Sequence, residues 1–291
     1  MLIPTITGDW RTIAQDPDLG PLTSPDQQPV DFGIWQAADG SWQLWSCLRK
    51  TRCGGKTRLF FRWEADRLTD PDWRALGIAM QADPGVGETP GGLQSPFVLK
   101  ADGLYHMLYG DWESICLATS SDGRIFTRHC GPQGRPALFT EGPGANTRDP
   151  MVLRIGDLYH CYYTAFPNNQ GGVYCRTSSD LRVWSESKVV AFGGSAGTGP
   201  SAAECPFVVY EEHSACYYLF RTQRYGLDAQ TTVYRSRDPL YFGIDDDDGY
   251  RVCTMPVAAP EVIVHDGKCY LACLLPDLKG IRIAPLEWLP Q

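Results

Sequence analysis

One phrase recurs along this chain and limits what it can fold into. A proline opens an apolar run, a tight turn follows, and an aromatic-rich run answers it. Ser95-Pro96-Phe97-Val98-Leu99 leads through Asp102-Gly103 to Leu104-Tyr105-His106-Met107-Leu108-Tyr109. Asp149-Pro150-Met151-Val152-Leu153 leads through Gly156-Asp157 to Leu158-Tyr159-His160-Cys161-Tyr162-Tyr163, and Cys205-Pro206-Phe207-Val208-Val209 leads to Tyr217-Tyr218-Leu219-Phe220. The last copy is Ala259-Pro260-Glu261-Val262-Ile263, then Asp266-Gly267 and Lys268-Cys269-Tyr270-Leu271. A first copy lacks the proline: Asp31-Phe32-Gly33-Ile34-Trp35, then Asp39-Gly40 and Ser41-Trp42-Gln43-Leu44-Trp45. The prolines at 96, 150, 206 and 260 are 54, 56 and 54 residues apart, and Phe32 stands 64 before Pro96.

Each unit reads as a hairpin, because Asp-Gly tolerates the positive φ that a two-residue turn demands. A third strand follows in most units and ends in Ser120-Ser121-Asp122, Ser178-Ser179-Asp180 or Ser236-Arg237-Asp238, each with an aromatic a few residues on. Three or four strands form a sheet that cannot cover both its faces alone. Repeated five times, such sheets pack face to face around an axis, so the fold class expected is all-β, a five-bladed β-propeller spanning 1–291. The last unit runs short of strands. The N-terminal stretch Ile3–Ile13 is therefore expected to complete it beside Ile281–Leu286.

Composition agrees. The 30 Gly and 22 Pro are too many for a helix bundle, while 14 Tyr, 11 Phe and 9 Trp suit pleated surfaces. With 26 Lys and Arg against 34 Asp and Glu, the formal charge is −8, which disfavours nucleic acid and anionic membranes as partners. No run reaches the ~18 apolar residues of a membrane span. The opening Met1-Leu2-Ile3-Pro4-Thr5 lacks the form of a secretory signal, and the 11 cysteines are scattered without a C-x-x-C pair. A reducing, cytoplasmic setting with free, mostly buried thiols is the expectation.

In a propeller the first strand of every blade lines the axis, and all five run the same way. Equivalent residues therefore crowd one mouth of the channel. The head positions are Val30-Asp31, Gln94-Ser95, Arg148-Asp149, Glu204-Cys205 and Ala258-Ala259, and three of them carry a carboxylate: Asp31, Asp149 and Glu204. Carboxylates gathered in a narrow mouth repel one another and are retained for chemistry or for a cation. A pair roughly 5–9.5 Å apart across a sugar is what cleavage of a glycosidic bond requires.

These residues carry a resemblance to the five-bladed propeller glycosidases of glycoside hydrolase families 43 and 32. Family 32 opens on a Trp-Met-Asn-Asp-Pro-Asn-Gly run followed by an aromatic hairpin; Asp31-Phe32-Gly33 and Gly40-Ser41-Trp42-Gln43-Leu44 match its Asp and hairpin but not its Asn or Pro. Its Arg-Asp-Pro is Arg148-Asp149-Pro150, and its Glu-Cys-Pro is Glu204-Cys205-Pro206. No C-terminal β-sandwich follows, which is more like family 43, whose enzymes invert configuration. The resemblance implies a hydrolase acting on a small oligosaccharide or glycoside, such as an arabinofuranoside, xyloside or fructofuranoside. Asp31 would be nucleophile or base, Asp149 would hold sugar hydroxyls and stabilise the transition state, and Glu204 would be the acid. Two carboxylates ionised at neutral pH, with Arg148 keeping Asp149 charged, would leave the proton on Glu204.

Candidates for sugar contact are Trp35, Trp112, Phe166, Arg148 and Arg221, since rings stack on sugar C–H faces and planar donors meet hydroxyls. No cofactor and no metal is expected. Asp245-Asp246-Asp247-Asp248-Gly249 lacks the spacing and the final Glu of a calcium loop and reads as a solvated turn. Gly193-Gly194-Ser195-Ala196-Gly197-Thr198-Gly199 has no Lys-Ser/Thr after it and reads as a flexible loop beside the Glu204 strand. His106 and His160 share a hairpin position and read as packing residues between blades. Two other readings keep the fold: a non-catalytic carbohydrate-binding propeller, and a glycoside phosphorylase, which needs cations near the acid, with Arg221 and Arg224 as candidates.

Overall fold

A computed structural model describes all residues, Met1–Gln291. Five antiparallel sheets are set around an axis. Their inner strands are Gln28–Gln36, Gln94–Ala101, Arg148–Ile155, Glu204–Glu211 and Glu261–His265, so each begins within a few residues of a repeat head. Each inner strand touches the next, and the fifth touches the first, which closes the ring. The approach is closest where Gly33 faces the second blade: a Cβ there would sit 2.4 Å from the carbonyl oxygen of Pro96, so only glycine fits.

Local chemistry accounts for the period. Asp102-Gly103 and Asp266-Gly267 both take positive φ at two successive residues, the backbone of the hairpin turn that matches strand twist. At the far end of the third strand, Asp122 Oδ1 accepts the N–H groups of Arg124 and Ile125, and Asp180 Oδ1 accepts those of Arg182 and Val183. The recurring Ser-x-Asp phrase is thus a turn in which a side chain satisfies backbone donors that the sheet leaves unpaired.

The last blade is completed from the chain start. Leu2–Ile6 pairs with Leu286–Pro290, and Arg11–Gln15 pairs with Gly280–Ile283, so two short strands lie along the single strand Gly280–Pro290. Aromatic side chains fill the wedges between blades, as in the Trp35, Trp45 and Phe126 group and the Phe139, Tyr163 and Trp184 group. His106 and His160 are both buried, and burial lowers the pKa of each, consistent with neutral packing residues. All 11 cysteines are unpaired, and no helix is long and apolar enough to cross a membrane.

Candidate active site

The heads of the five blades share one backbone device. Asp31, Ser95, Asp149, Cys205 and Ala259 have φ of 40, 42, 55, 44 and 48°, the left-handed region that non-glycine residues seldom adopt. In the first four blades the pairing register slips at that point, between Val30 and Phe32, Gln94 and Phe97, Arg148 and Met151, and Glu204 and Phe207. Each of these four heads is therefore a bulge, which redirects two successive side chains. The result is two tiers. The five left-handed residues line the narrow channel, while Gln94, Arg148 and Glu204, one residue earlier, line a wider mouth of about 340 Å³ that also reaches Asp31.

Arg148 organises the three carboxylates. Its Nη2 and Nε donate to the two oxygens of Glu204 at 2.8 and 3.1 Å, and its Nε lies 3.6 Å from Asp149 Oδ2. Burial opposes its charge, but Glu204 and Asp149 outweigh that and hold the guanidinium protonated. Asp149, in the channel, accepts a hydrogen bond from the Cys205 N–H at 3.0 Å through Oδ2, and its Oδ1 is buried without a partner. Desolvation first and the Asp31 charge second push its pKa well up, further than Arg148 pulls it down. This runs against the expectation that Arg148 keeps Asp149 charged: the guanidinium forks onto Glu204, and burial beside Asp31 favours the protonated form of Asp149. A buried acid beside a second acid cannot ionise cheaply, even with an arginine at 3.6 Å.

Asp31 sits where the two tiers meet. Its Oδ1 accepts from the Cys205 thiol at 3.2 Å and from the Tyr225 hydroxyl at 3.3 Å, and Arg58 Nη1 lies 3.9 Å from Oδ2. Ligand atoms of Asp31, Asp149 and Cys205 lie within 4.8 Å of one another, a spacing that could hold a small cation. Burial and the charges of Asp149 and Asp31 push the Cys205 thiol up, so the group acts as a hydrogen-bond donor here and we assign it no ion.

The residues expected at the site divide. Asp31, Arg148, Glu204, Trp112 and Phe166 line the mouth, and Asp149 lies in the channel. Arg148 also stacks over the Phe166 ring at 5.1 Å. Trp35 is elsewhere: four residues along the inner strand from Asp31, roughly 13 Å away, it packs on Phe126 and donates Nε1–H to Gly123 O at 2.7 Å. Arg221 is also outside the mouth. It is 1% exposed, and its guanidinium is spent on the carbonyls of Ala202, Gly193 and Gly197.

Arg221 thereby pins the glycine-rich loop, which is not the free loop its composition suggested. Asp247 holds it from the other side, accepting from Ser195 N–H and Oγ–H at 3.0 and 2.6 Å, so Asp247 is a buried tether while Asp245, Asp246 and Asp248 stay exposed as a solvated turn. Gly194 has φ +62°, and a Cβ there would lie 2.5 Å from Asp247 Cγ. The anchored segment sets Pro200 and Ser201 on the mouth beside Glu204. Arg224 is exposed and hydrogen-bonded to Gln230, away from the mouth.

Several mouth residues escaped the repeat: Arg49, Arg58, Asn146 and Tyr225. Two of them had a visible signal, since Arg49-Lys50-Thr51-Arg52-Cys53-Gly54-Gly55-Lys56-Thr57-Arg58 packs five cations and no acid into ten residues of an acidic chain. A fourth carboxyl, Glu261, lines the channel from the fifth blade, and desolvation pushes its pKa well up.

No protein-family model and no curated protein matches the sequence. Solved structures do. A thermostable family-43 glycoside hydrolase superposes with a TM-score of 0.65 at 16% identity, covering 92% of this chain and 91% of that one. The family 32 β-fructofuranosidase of Bombyx mori gives 0.64 at 18%, with 96% of this chain covering 62% of the enzyme. The third comes from work on family 130 mannoside phosphorylases, a family described as also containing hydrolases of β-1,2-mannosidic linkages in Candida mannan; it gives 0.62 at 16%, covering 97% and 96%. The fold is that of the five-bladed propeller glycosidases. Identities this low speak for the fold, and the chemistry rests on the mouth itself.

Proposed function

We propose that this chain is a glycoside hydrolase acting on a small oligosaccharide or glycoside, a furanoside or pentoside such as an arabinofuranoside, xyloside or fructofuranoside. The observation that carries the reading is the convergence of Asp31 and Glu204, from blades one and four, on one mouth, with Asp149 beneath them. A cavity of 340 Å³ suits one or two sugar rings. Structural neighbours with this fold are glycosidases, and a mutant of the Bombyx enzyme was solved with sucrose.

In this reading Glu204 gives a proton to the leaving oxygen while Asp31 attacks the anomeric carbon or activates water on the opposite face. A protonated Glu204 can offer only its carbonyl oxygen to Arg148, so one tine of the fork has to let go before the acid step. That makes Arg148 a positioning residue. Asp149, whose pKa is raised by burial first and by Asp31 second, can in its protonated form donate to a sugar hydroxyl as well as accept from one. Trp112 and Phe166 line the rim, each with a cation over its ring. No cofactor or metal enters the scheme, and we place the protein in a reducing compartment, the cytoplasm, on the strength of its unpaired cysteines.

The test is a screen of aryl furanosides and pyranosides with the full chain and with Glu204→Ala. Turnover lost in the variant supports the reading. Undiminished turnover in Glu204→Ala, or binding of sugars without any turnover, would replace it with that of a carbohydrate-binding propeller.

A further inference from the structure

The basic hairpin of the first blade lies across the ring from blades three and four, which carry Arg148 and Glu204. Arg49 and Arg58 both line the mouth. Lys56 lies over the Trp112 ring at 4.6 Å, and Arg58 lies over the same ring at 5.1 Å. Of the other arginines, Arg221 is met by three carbonyls, while Arg128, Arg148 and Arg176 are met closely by acids, Glu88, Glu204 and Glu141. Arg49 and Arg58 are not. Arg49 donates only to the amide oxygen of Gln28, at 2.9 Å, and forms no ion pair; Lys56 has none either. Arg58, whose side chain is 15% exposed, reaches the Asp31 carboxylate only at 3.9 Å, and its side chain otherwise donates only a long contact to the Cys47 sulfur.

A half-buried guanidinium without a close acid is costly unless something else supplies the charge. The hairpin is also held stiffly. Thr51 N–H donates to Thr57 O, Lys56 N–H to Pro90 O and Arg58 N–H to Gly91 O, and a Cβ on Gly55 would come within 2.0 Å of Pro90 O. Preorganised, undercompensated cations in a chain of net charge −8 mark a place for an anion. Planar guanidinium groups favour oxyanions, which they meet with paired hydrogen bonds. Trp112, with φ of +83°, is held in a strained conformation beside them.

We infer that Arg49 and Arg58 on the mouth, with Lys56 at its outer edge over Trp112, form an oxyanion subsite. Its location beside the reacting bond rests on the hydrolase reading; its affinity for an anion does not. The anion has two sources. It is a phosphate, sulfate or carboxylate borne by the glycoside, or it is inorganic phosphate. In the second case a phosphate oxygen forms the bond to the anomeric carbon that water would otherwise form, while the glycosidic C–O bond breaks and its oxygen leaves with the proton of Glu204.

Titration calorimetry with inorganic phosphate at fixed ionic strength, against chloride, tests the subsite on the full chain. Arg49→Gln and Lys56→Gln should each weaken phosphate binding by about tenfold, the loss of one charge-assisted contact. Lys56 is exposed, so its variant keeps the fold even if that of Arg49 does not. Comparing kcat/KM for neutral and anionic aryl glycosides, with and without phosphate, then separates the sources: preference for the anionic glycoside assigns the charge to the substrate, and release of a sugar 1-phosphate assigns it to free phosphate. Phosphate bound no better than chloride, or bound equally by both variants, would overturn the inference. Loss of all glycoside turnover with phosphate binding intact would instead sink the hydrolase reading alone.

Discussion

The heads of blades two and five and those of blades three and four have nearly the same backbone and different chemistry. Gln94-Ser95 and Ala258-Ala259 put an amide, a hydroxyl and two methyls where Arg148-Asp149 and Glu204-Cys205 put an ion pair, a protonated acid and a thiol. Yet Ala259, with nothing to offer a substrate, has φ of 48°, as left-handed as Asp149 at 55°. Left-handed non-glycine residues are often taken as signs of function, at a cost of about 1–3 kcal/mol each. Here the strain belongs to the ring. All five inner strands must turn sharply at the mouth, and the chemistry is placed on turns the architecture already requires.

The largest effects should come from breaking that difference at the reacting groups. Glu204→Gln removes the proposed proton donor and should lower kcat/KM by about 10²–10⁴ on glycosides with poor leaving groups. It should affect activated aryl glycosides far less, because their departure needs no proton. Asp31→Asn should depress both classes alike. Equal losses for both substrate classes in Glu204→Gln would mean that Glu204 is not the acid. Next in size is Arg148→Met, which strands the Glu204 carboxylate in a site where the arginine side chain is only 5% exposed, and should cost about 3 kcal/mol of stability by denaturant titration.

Asp149→Asn should separate function from folding. The folded chain holds a proton on Asp149 that the unfolded chain releases in the ordinary carboxylate range, so this site makes the native state less stable as pH rises from about 4 towards neutrality. An amide cannot titrate. The stability difference between variant and wild type should therefore move in the variant's favour between pH 4 and pH 7, while activity falls. A difference that is flat with pH would show that Asp149 titrates normally. Glu261→Gln should follow the same trend, because burial raises that carboxyl too.

Much of this was legible in the sequence, for identifiable reasons. The propeller announces itself because each blade needs the same turns: Asp102-Gly103 and Asp266-Gly267 at the hairpins, and Asp122 and Asp180 as backbone acceptors. Residues in repeat register, Asp31, Asp149 and Glu204, could be placed because register is position. Trp35 and Arg221 could not, because distance along a strand and the choice between a sugar and three carbonyls are tertiary facts. The partner of Arg148 was hidden for a similar reason. Only the fold reveals that Arg148 gives both tines to Glu204, and that Asp149 lies deeper, with an unpartnered oxygen. The basic hairpin Arg49–Arg58 was visible as a charge run but sits outside the repeat, where periodicity gives it no address.

The smallest expected effect tests the claim about strain. If the left-handed turn is architectural, Ala259→Gly should change stability by less than about 0.5 kcal/mol, because relief of the positive-φ cost, roughly 1 kcal/mol, is offset by the greater freedom of an unfolded glycine. Ala259→Val should be much worse, since a β-branched side chain fits poorly at φ of 48°. The same glycine substitution at Asp31 should leave the melting temperature nearly as it was and remove activity. The pair of glycine variants then isolates the side chain from the turn that carries it. A valine at 259 tolerated as well as alanine would show that the fifth head can relax to an ordinary strand, and the turn would then have to be credited to the site in blades one, three and four.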